Sequence, residues 1–266
     1  LAAAKVFHRG PDYDDQRMKL EGEILSSLNH PNIISFVQYS DSAVLKLANG
    51  GTRRAAVLLT EFGRQGDFSS FLERTGPLPE NIARTYFRQV VECVEFIHEK
   101  KLCHFDIKPE NFVLDDNFHL KLCDFGCSMA FNSTDSFRGI IGTNEYLAPE
   151  AFLDQFYSGR KIDIFSCGVL LFVMVVGHYP FEKACREDPL YNLICQRQYD
   201  RFWAIHKELA EKAGRTVELS EELRDLIIQM LKKYPSDRIN LKAMKEHPWM
   251  KGPSLNSDQL SRFFRK

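Results

Sequence analysis

Two spacings of apolar residues alternate along the chain and divide it into unequal parts. Residues 1–7, LAAAKVF, form a short apolar run broken by one lysine and predict a strand. In DDQRMKLEGEILSSLNH (14–30), Met18, Leu20, Ile24, Leu25 and Leu28 recur at helical spacing, and Asn29-His30-Pro31-Asn32 stops the helix. NIISFVQYS (32–40) and AAVLLTEF (55–62) predict two further strands on either side of a polar loop containing Gly50-Gly51. Beyond residue 67 the pattern turns helical. NIARTYFRQVVECVEFIHEK (81–100) carries Ile82, Tyr86, Val90, Val94 and Ile97 on one face, with Phe87 and Val91 beside them, which predicts a long amphipathic helix. A hairpin follows, FVL (112–114) and HLKL (119–122), joined by the turn-forming Asp115-Asp116-Asn117. After it come a loop rich in Ser, Thr and Gly (127–147), the apolar run IFSCGVLLFVMVVG (164–177) and further helices. That run is shorter than the roughly 20 apolar residues a membrane span needs, so it predicts a helix buried in a large core.

Composition narrows the partners more than the fold. Hydrophobic residues make up 44% and charged residues 27%, and 35 basic residues against 36 acidic ones leave a net charge of −1. No polybasic block occurs, so neither nucleic acid nor an anionic membrane is the expected partner. The seven cysteines are odd in number and form no CxxC pair, which points to reduced thiols in a cytoplasmic protein. No signal peptide is expected for this chain. Residue 1 is Leu rather than Met, which suggests a fragment of a longer chain.

Chemistry concentrates at the hairpin, in CHFDIKPENFVLDDNFHLKLCDFG (103–126). Folding the two strands together brings their open ends to one place. Asn111 lies just before the first strand and Asp124 just after the second. An amide oxygen and a carboxylate converging without a cation are costly to desolvate, and a hard divalent ion such as Mg2+ is the natural occupant. Asp106 lies on the loop entering the hairpin, where it could accept the proton of a nucleophile. Lys108 could neutralise a phosphate in transfer. Taken singly, each of these residues is as well explained as a solvated loop residue.

As a set, the stretch resembles the catalytic loop and metal-binding motif of eukaryotic protein kinases, HRDxKPxN followed by DFG. The resemblance runs over nearly the whole chain. It implies an α+β, bilobal fold: a partial N-terminal lobe (1–62), a hinge (63–67), a mainly helical C-terminal lobe (68–250) and a tail (251–266). It implies ATP and Mg2+ as cofactors and transfer of phosphate to a protein hydroxyl. AAKVF is similar to the family's third-strand lysine motif, which makes Lys5 the holder of the α- and β-phosphates. Glu21 falls where the family's helix C glutamate does, with Glu23 as its competitor. LLTEFGRQGDF resembles the link between lobes: Thr60 the gatekeeper, the Glu61 and Gly63 backbones beside adenine, Asp67 near the ribose. Asp106 becomes the catalytic acceptor, and Asn111 and Asp124 the metal ligands. GTNEYLAPE (142–150) resembles the end of the activation segment. Asp163 matches the aspartate that braces the catalytic loop, and Arg238 the arginine that pairs with Glu150.

Two departures qualify the resemblance. The family's glycine-rich loop should precede the third-strand lysine by roughly 15 to 25 residues, and only four residues precede Lys5 here. Either the natural chain is longer, or the protein is a pseudokinase acting as a binding module. The catalytic loop also reads His104-Phe105-Asp106, so Phe105 stands where the family's phosphate-binding arginine does. Phosphorylation at Ser133, Thr134 or Ser136 is therefore expected not to be obligatory for activity. DIKPEN (106–111) with Thr143 resembles the serine/threonine class, and GDFSSFL with HPWM the calcium/calmodulin-dependent group. Glu110 and Asp67 are either readers of a basic substrate or general surface acids. Segment 182–219 is either a docking insert or a longer loop and helix. The tail LSRFFRK is either the start of an autoinhibitory or calmodulin-binding helix or a frayed terminus.

Overall fold

The computed structural model describes residues 1–7 and 15–264. Strand β1 (Ala2–Phe7), helix α1 (Asp15–Ser27) and strands β2 (Phe36–Lys46) and β3 (Thr52–Glu61) make a sheet-rich first region. Its antiparallel sheet runs β1-β3-β2 and sets Lys5 opposite Leu58. Helix α1 buries Met18, Glu21, Ile24 and Leu25, Leu28 just beyond it is buried too, and the helix packs on β2. Residue 14, expected in this helix, lies outside the described residues. Leu20, expected on the apolar face, is exposed, because positions two apart do not share a helix face.

The run expected to be a strand from residue 32 divides in two. β2 begins at Phe36, while Ile33 and Ile34 are buried against the hairpin. The Ile34 N–H donates to the Leu122 carbonyl at 2.9 Å and the Leu122 N–H to the Asn32 carbonyl at 2.8 Å. An apolar run cannot announce which sheet it joins; here it ties the first region to the hairpin at 112–122.

Past β3 come β4 (Gly66–Asp67), α2 (Phe68–Thr75), the long α3 (Glu80–Glu99) and β5 (Leu102–Cys103). The hairpin strands β6 (Phe112–Leu114) and β7 (Leu120–Leu122) pair with Phe112 opposite Leu122, and β4 adds to the far side of β6. β8 (Met129–Ala130) pairs with β5. Every apolar residue expected along α3 is at most 1% exposed.

Helix α4 (Gly159–Val176) is the centre of the second region and packs on α3 and α7. It starts five residues before the expected apolar run, since its first turns carry Arg160, Lys161 and Asp163. Ser158 caps it by accepting from the Lys161 N–H. Helices α5 (Pro189–Cys195), α6 (Tyr199–Lys212), α7 (Glu221–Leu231), α8 (Leu241–Glu246), α9 (Pro248–Lys251) and α10 (Ser257–Phe264) complete the chain. Segment 182–219 thus holds two helices. The tail is a docked helix: Leu260 is buried, and the Phe264 ring lies 4.6 Å from that of Phe71 and 5.5 Å from that of Phe118. Residues 265 and 266 lie outside the described residues. Among the described residues no helix is long and apolar enough to cross a membrane.

Candidate active site

The loop between β5 and β6 carries the reactive groups, and it is held from beneath. The Asp163 carboxylate, fully buried in α4, accepts the Phe105 N–H at 2.8 Å and the His104 N–H at 2.9 Å. His98, at the end of α3, meets the Asp163 oxygen that also accepts the His104 N–H, at 2.8 Å. Phe105 adopts a left-handed backbone, φ 67°, which an L residue holds only where its surroundings over-determine it. His98 was not singled out from the sequence. Its signal was available: it continues the buried α3 face four residues after Val94.

With its backbone fixed, Asp106 faces three partners. One carboxylate oxygen accepts the Thr143 hydroxyl at 2.6 Å. The other accepts the Asn111 amide at 2.8 Å and lies 3.0 Å from the Lys108 ammonium. Lys108 also donates to the Thr143 hydroxyl at 2.6 Å. Asp106, Lys108, Asn111 and Thr143 are therefore one hydrogen-bonded unit. Gly142 makes this approach possible: its φ is 103°, and a Cβ there would sit 2.1 Å from the Phe105 carbonyl oxygen.

At the hairpin mouth the Cys123 N–H donates to the Asn111 carbonyl at 2.8 Å, and Asp124 follows in a left-handed conformation, φ 58°. One Asp124 oxygen accepts the Lys5 ammonium at 2.8 Å and the Gly126 N–H at 3.2 Å. Lys5 also reaches both Glu21 oxygens, at 2.8 and 2.9 Å. Geometry chooses between the two glutamates: Glu21 is buried, whereas Glu23 is exposed and pairs with Lys19. Burial opposes the charge on Lys5, but its bonds to Asp124 and Glu21 outweigh that and raise its pKa. Burial likewise pushes Asp124 up, and Lys5 pulls it below the ordinary carboxylate value. At Glu21 burial wins and raises the pKa.

The remaining expected residues lie around this centre. Thr60 closes β3, its hydroxyl donating to the Glu61 carbonyl at 3.1 Å. The Glu61 side chain is drawn toward the hairpin by Lys121 at 2.8 Å and toward Ser35 at 2.6 Å. Gly63 runs over β6, where a Cβ would meet Val113 at 2.6 Å, so only glycine fits this crossing. Asp67 does not join the centre. Its carboxylate caps α2, accepting the Ser70 N–H at 2.7 Å and the Ser70 hydroxyl at 2.8 Å; burial opposes its charge, but these bonds win and lower its pKa. Glu110 is exposed. Farther off, Arg238 and Glu150 form a buried double hydrogen bond, 2.7 and 3.0 Å.

The donor set fits a hard divalent ion. The Asn111 amide nitrogen is committed to Asp106, which leaves its oxygen turned to the other side. Among the described residues the second Asp124 oxygen accepts no hydrogen bond. Two hard oxygens beside a lysine that balances one carboxylate suit Mg2+ together with phosphate oxygens.

Comparison with known proteins agrees. The protein kinase domain family matches residues 1–250. The chain is 32% identical over 251 residues to the probable serine/threonine-protein kinase MARK-A of Dictyostelium discoideum, covering 93% of this chain and 21% of that protein. It is 33% identical over 253 residues to serine/threonine-protein kinase SAPK9 of Oryza sativa, covering 94% and 64%. It is also 33% identical over 258 residues to serine/threonine-protein kinase SRK2F of Arabidopsis thaliana, covering 94% and 67%. The chain thus spans between about a fifth and two thirds of the length of these relatives. Lying wholly within this match, the Lys5–Glu21 pair and the unit around Asp106 are parts of a protein kinase domain of the serine/threonine class, the family to which this chain belongs.

Proposed function

We propose that this chain transfers the γ-phosphate of ATP to a serine or threonine hydroxyl of a protein. One observation carries the reading: on a braced loop the buried Asp106 carboxylate is held by Asn111, Lys108 and Thr143, one oxygen taking the Thr143 hydroxyl and the other the Asn111 amide and the Lys108 ammonium. Phosphoryl transfer needs little covalent help; it needs screened phosphates and an acceptor hydroxyl held in line. Lys5 holds the α- and β-phosphates, and Glu21 fixes its ammonium. Asn111 and Asp124 hold the metal ion, which supplies charge neutralisation at the phosphates when bound. Asp106 orients the acceptor hydroxyl and takes its proton. Lys108 offsets negative charge beside it. Thr143 occupies the acceptor position beside Asp106 and is displaced by, or shares its bond with, the incoming hydroxyl.

The hinge is residues 63–67. The Gly63 N–H donates no hydrogen bond among the described residues, which leaves it for the adenine edge. Because Asp67 is committed to capping α2, Glu110 is the stronger candidate to read a basic substrate residue. The described cysteines are unpaired, in keeping with a reducing, cytoplasmic setting. The α10 apolar face is seated on α2, so calmodulin would have to undock it to bind there. A pseudokinase reading would need Lys5, Asp106, Asn111 or Asp124 to be lost; all four are present, and the Lys5–Asp124 and Asp106–Asn111 contacts support the active reading.

The test is radiolabelled phosphate transfer from ATP to a basic serine-containing peptide by the full-length protein. Asp106→Asn keeps the shape and removes the proton acceptor, and it should lower kcat by about a hundredfold or more while nucleotide still binds. Equal rates for wild type and Asp106→Asn would overturn the proposal.

A further inference from the structure

The segment joining the hairpin to Thr143 carries a carboxylate that the site does not use. Asp135 stands among Ser133, Thr134 and Ser136, all exposed, yet its own side chain is only 5% exposed. It reaches the start of α4. There it accepts the Ser158 hydroxyl, the Gly159 N–H at 2.9 Å and the Arg160 guanidinium at 2.9 Å, and the Cys103 thiol lies 3.9 Å away. Charge-assisted bonds of this kind are about twice as strong as neutral ones, and a carboxylate at a helix N-terminus adds a favourable dipole term.

Two further anchors follow along the same segment. Phe137 is buried and packs edge-on against Phe105, with ring centroids 4.8 Å apart. Its N–H and C=O both bond to Tyr157 at 2.9 Å, and the Tyr157 hydroxyl donates to the Gly139 carbonyl at 2.5 Å. Gly142 then passes against the Phe105 carbonyl, and Thr143 meets Asp106. Phe105 therefore gives the segment an apolar seat at the position where an arginine could have bound a phosphate.

We infer that Asp135 is a positioning residue: it pins the segment to the start of α4, so that Thr143 stays registered on Asp106 without any phosphate being added. This rests on the phosphotransferase reading above. The anion that orders the segment is part of the sequence, and its cationic partner, Arg160, lies on the most firmly buried helix of the protein. A phosphate on Thr134 or Ser136 would lie beside this carboxylate and repel it, so modification there loosens the segment rather than ordering it.

The experiment uses full-length protein treated with a phosphatase and verified by mass to be phosphate-free. Wild type, Asp135→Asn, Arg160→Gln and Asp106→Asn are compared for transfer to a basic serine-containing peptide. Wild type should be active without phosphate. Asp135→Asn should lower kcat/KM for the peptide about tenfold, mostly through peptide KM, as expected for one charge-assisted hydrogen bond. The KM for ATP should stay within about twofold, because Lys5 and Asp124 are untouched, whereas general destabilisation would move both. Arg160 is half-exposed, so Arg160→Gln tests the same contact at little risk to folding and should give about a threefold loss. Trypsin should cut after Arg138 faster in both variants. A peptide KM and a tryptic rate equal to wild type in Asp135→Asn would overturn the inference, as would a phosphate-free wild type that gains activity only on phosphorylation. If every form is inactive, the phosphotransferase reading fails, and the tryptic rates still decide whether Asp135 anchors the segment.

Discussion

The Glu150–Arg238 pair offers the most quantitative test of how the second region is held. Glu150 and Arg238 are 3% and 2% exposed. Two parallel bonds join them, and Arg238 also donates to the Lys161 carbonyl at 2.7 Å and to the Lys232 carbonyl at 3.0 and 3.2 Å, with the Phe165 ring beneath it. Glu150→Ala would leave a buried guanidinium without its counter-charge, a change that costs ~3–5 kcal/mol. The carbonyls of Lys161 and Lys232 still solvate part of that charge, so the lower end, ~3 kcal/mol, applies. For a chain of this size each kcal/mol moves Tm by about 2–4 °C, which gives a fall of about 6–12 °C. Differential scanning calorimetry on wild type, Glu150→Ala, Arg238→Met and the double variant measures it. The double variant should be no less stable than Glu150→Ala, because removing the guanidinium also removes the uncompensated charge. A shift below about 2 °C for Glu150→Ala, or single effects that simply add, would refute the reasoning.

Two further outcomes follow from the same structure. Lys5→Met should raise the KM for ATP and cut kcat/KM about a hundredfold or more, and adding Glu21→Gln should cost little beyond that, since both act through one ammonium; steady-state kinetics of the two single variants and the double would show additive losses if the pair were not a unit. His206 is 1% exposed, and burial lowers its pKa from 6.5 to about 3 with help from the facing His178, 2.9 Å away. The folded state therefore keeps it neutral while the unfolded chain takes up a proton below pH 6.5, so stability is present above that pH and lost as pH falls toward 3. Between pH 8 and 5 the loss is about 2 kcal/mol, and His206→Leu should flatten the pH dependence of urea unfolding by that amount; an unchanged slope would show that His206 does not carry it.

What the sequence disclosed depended on the distance between partners. Asp106, Lys108 and Asn111 were legible because their mutual contacts close within six residues, so spacing along the chain stands for spacing in the fold; Asp124 follows the same hairpin, but its partner Lys5 lies 119 residues away. Glu21 was distinguishable from Glu23 by period alone, since it shares the helix face of Met18, Leu25 and Leu28. At Asp67 the resemblance did not reveal a local role: Asp67-Phe68-Ser69-Ser70 is also a helix start, and the carboxylate accepts from those near donors. Ile33 and Ile34 looked like strand residues because an apolar run has no signature for the partner it will meet. Asp135 was hidden among Ser and Thr, with its cation 25 residues away in sequence. No local pattern marks such a contact.

The distant contacts share one destination, and that gives them a common physical cause. Helix α4 is apolar nearly all round, so each polar group near its start must find a partner or bear the cost of desolvation. Ser158 and Arg160 find Asp135 of the activation segment. The Lys161 carbonyl finds Arg238, and through it Glu150. Asp163 finds the backbone of the catalytic loop, and Ser166 donates to the Tyr146 carbonyl at 2.9 Å. The first turns of one buried helix thus fix the loop that carries Asp106, the segment that carries Thr143 and the stretch leading to Glu150. Because the partners of the buried members are specific in number and direction, a change at those members cannot relax into solvent and shifts the site. Arg160 is the half-exposed member of the set, so it is the contact whose loss should alter the activation segment with the least damage to folding.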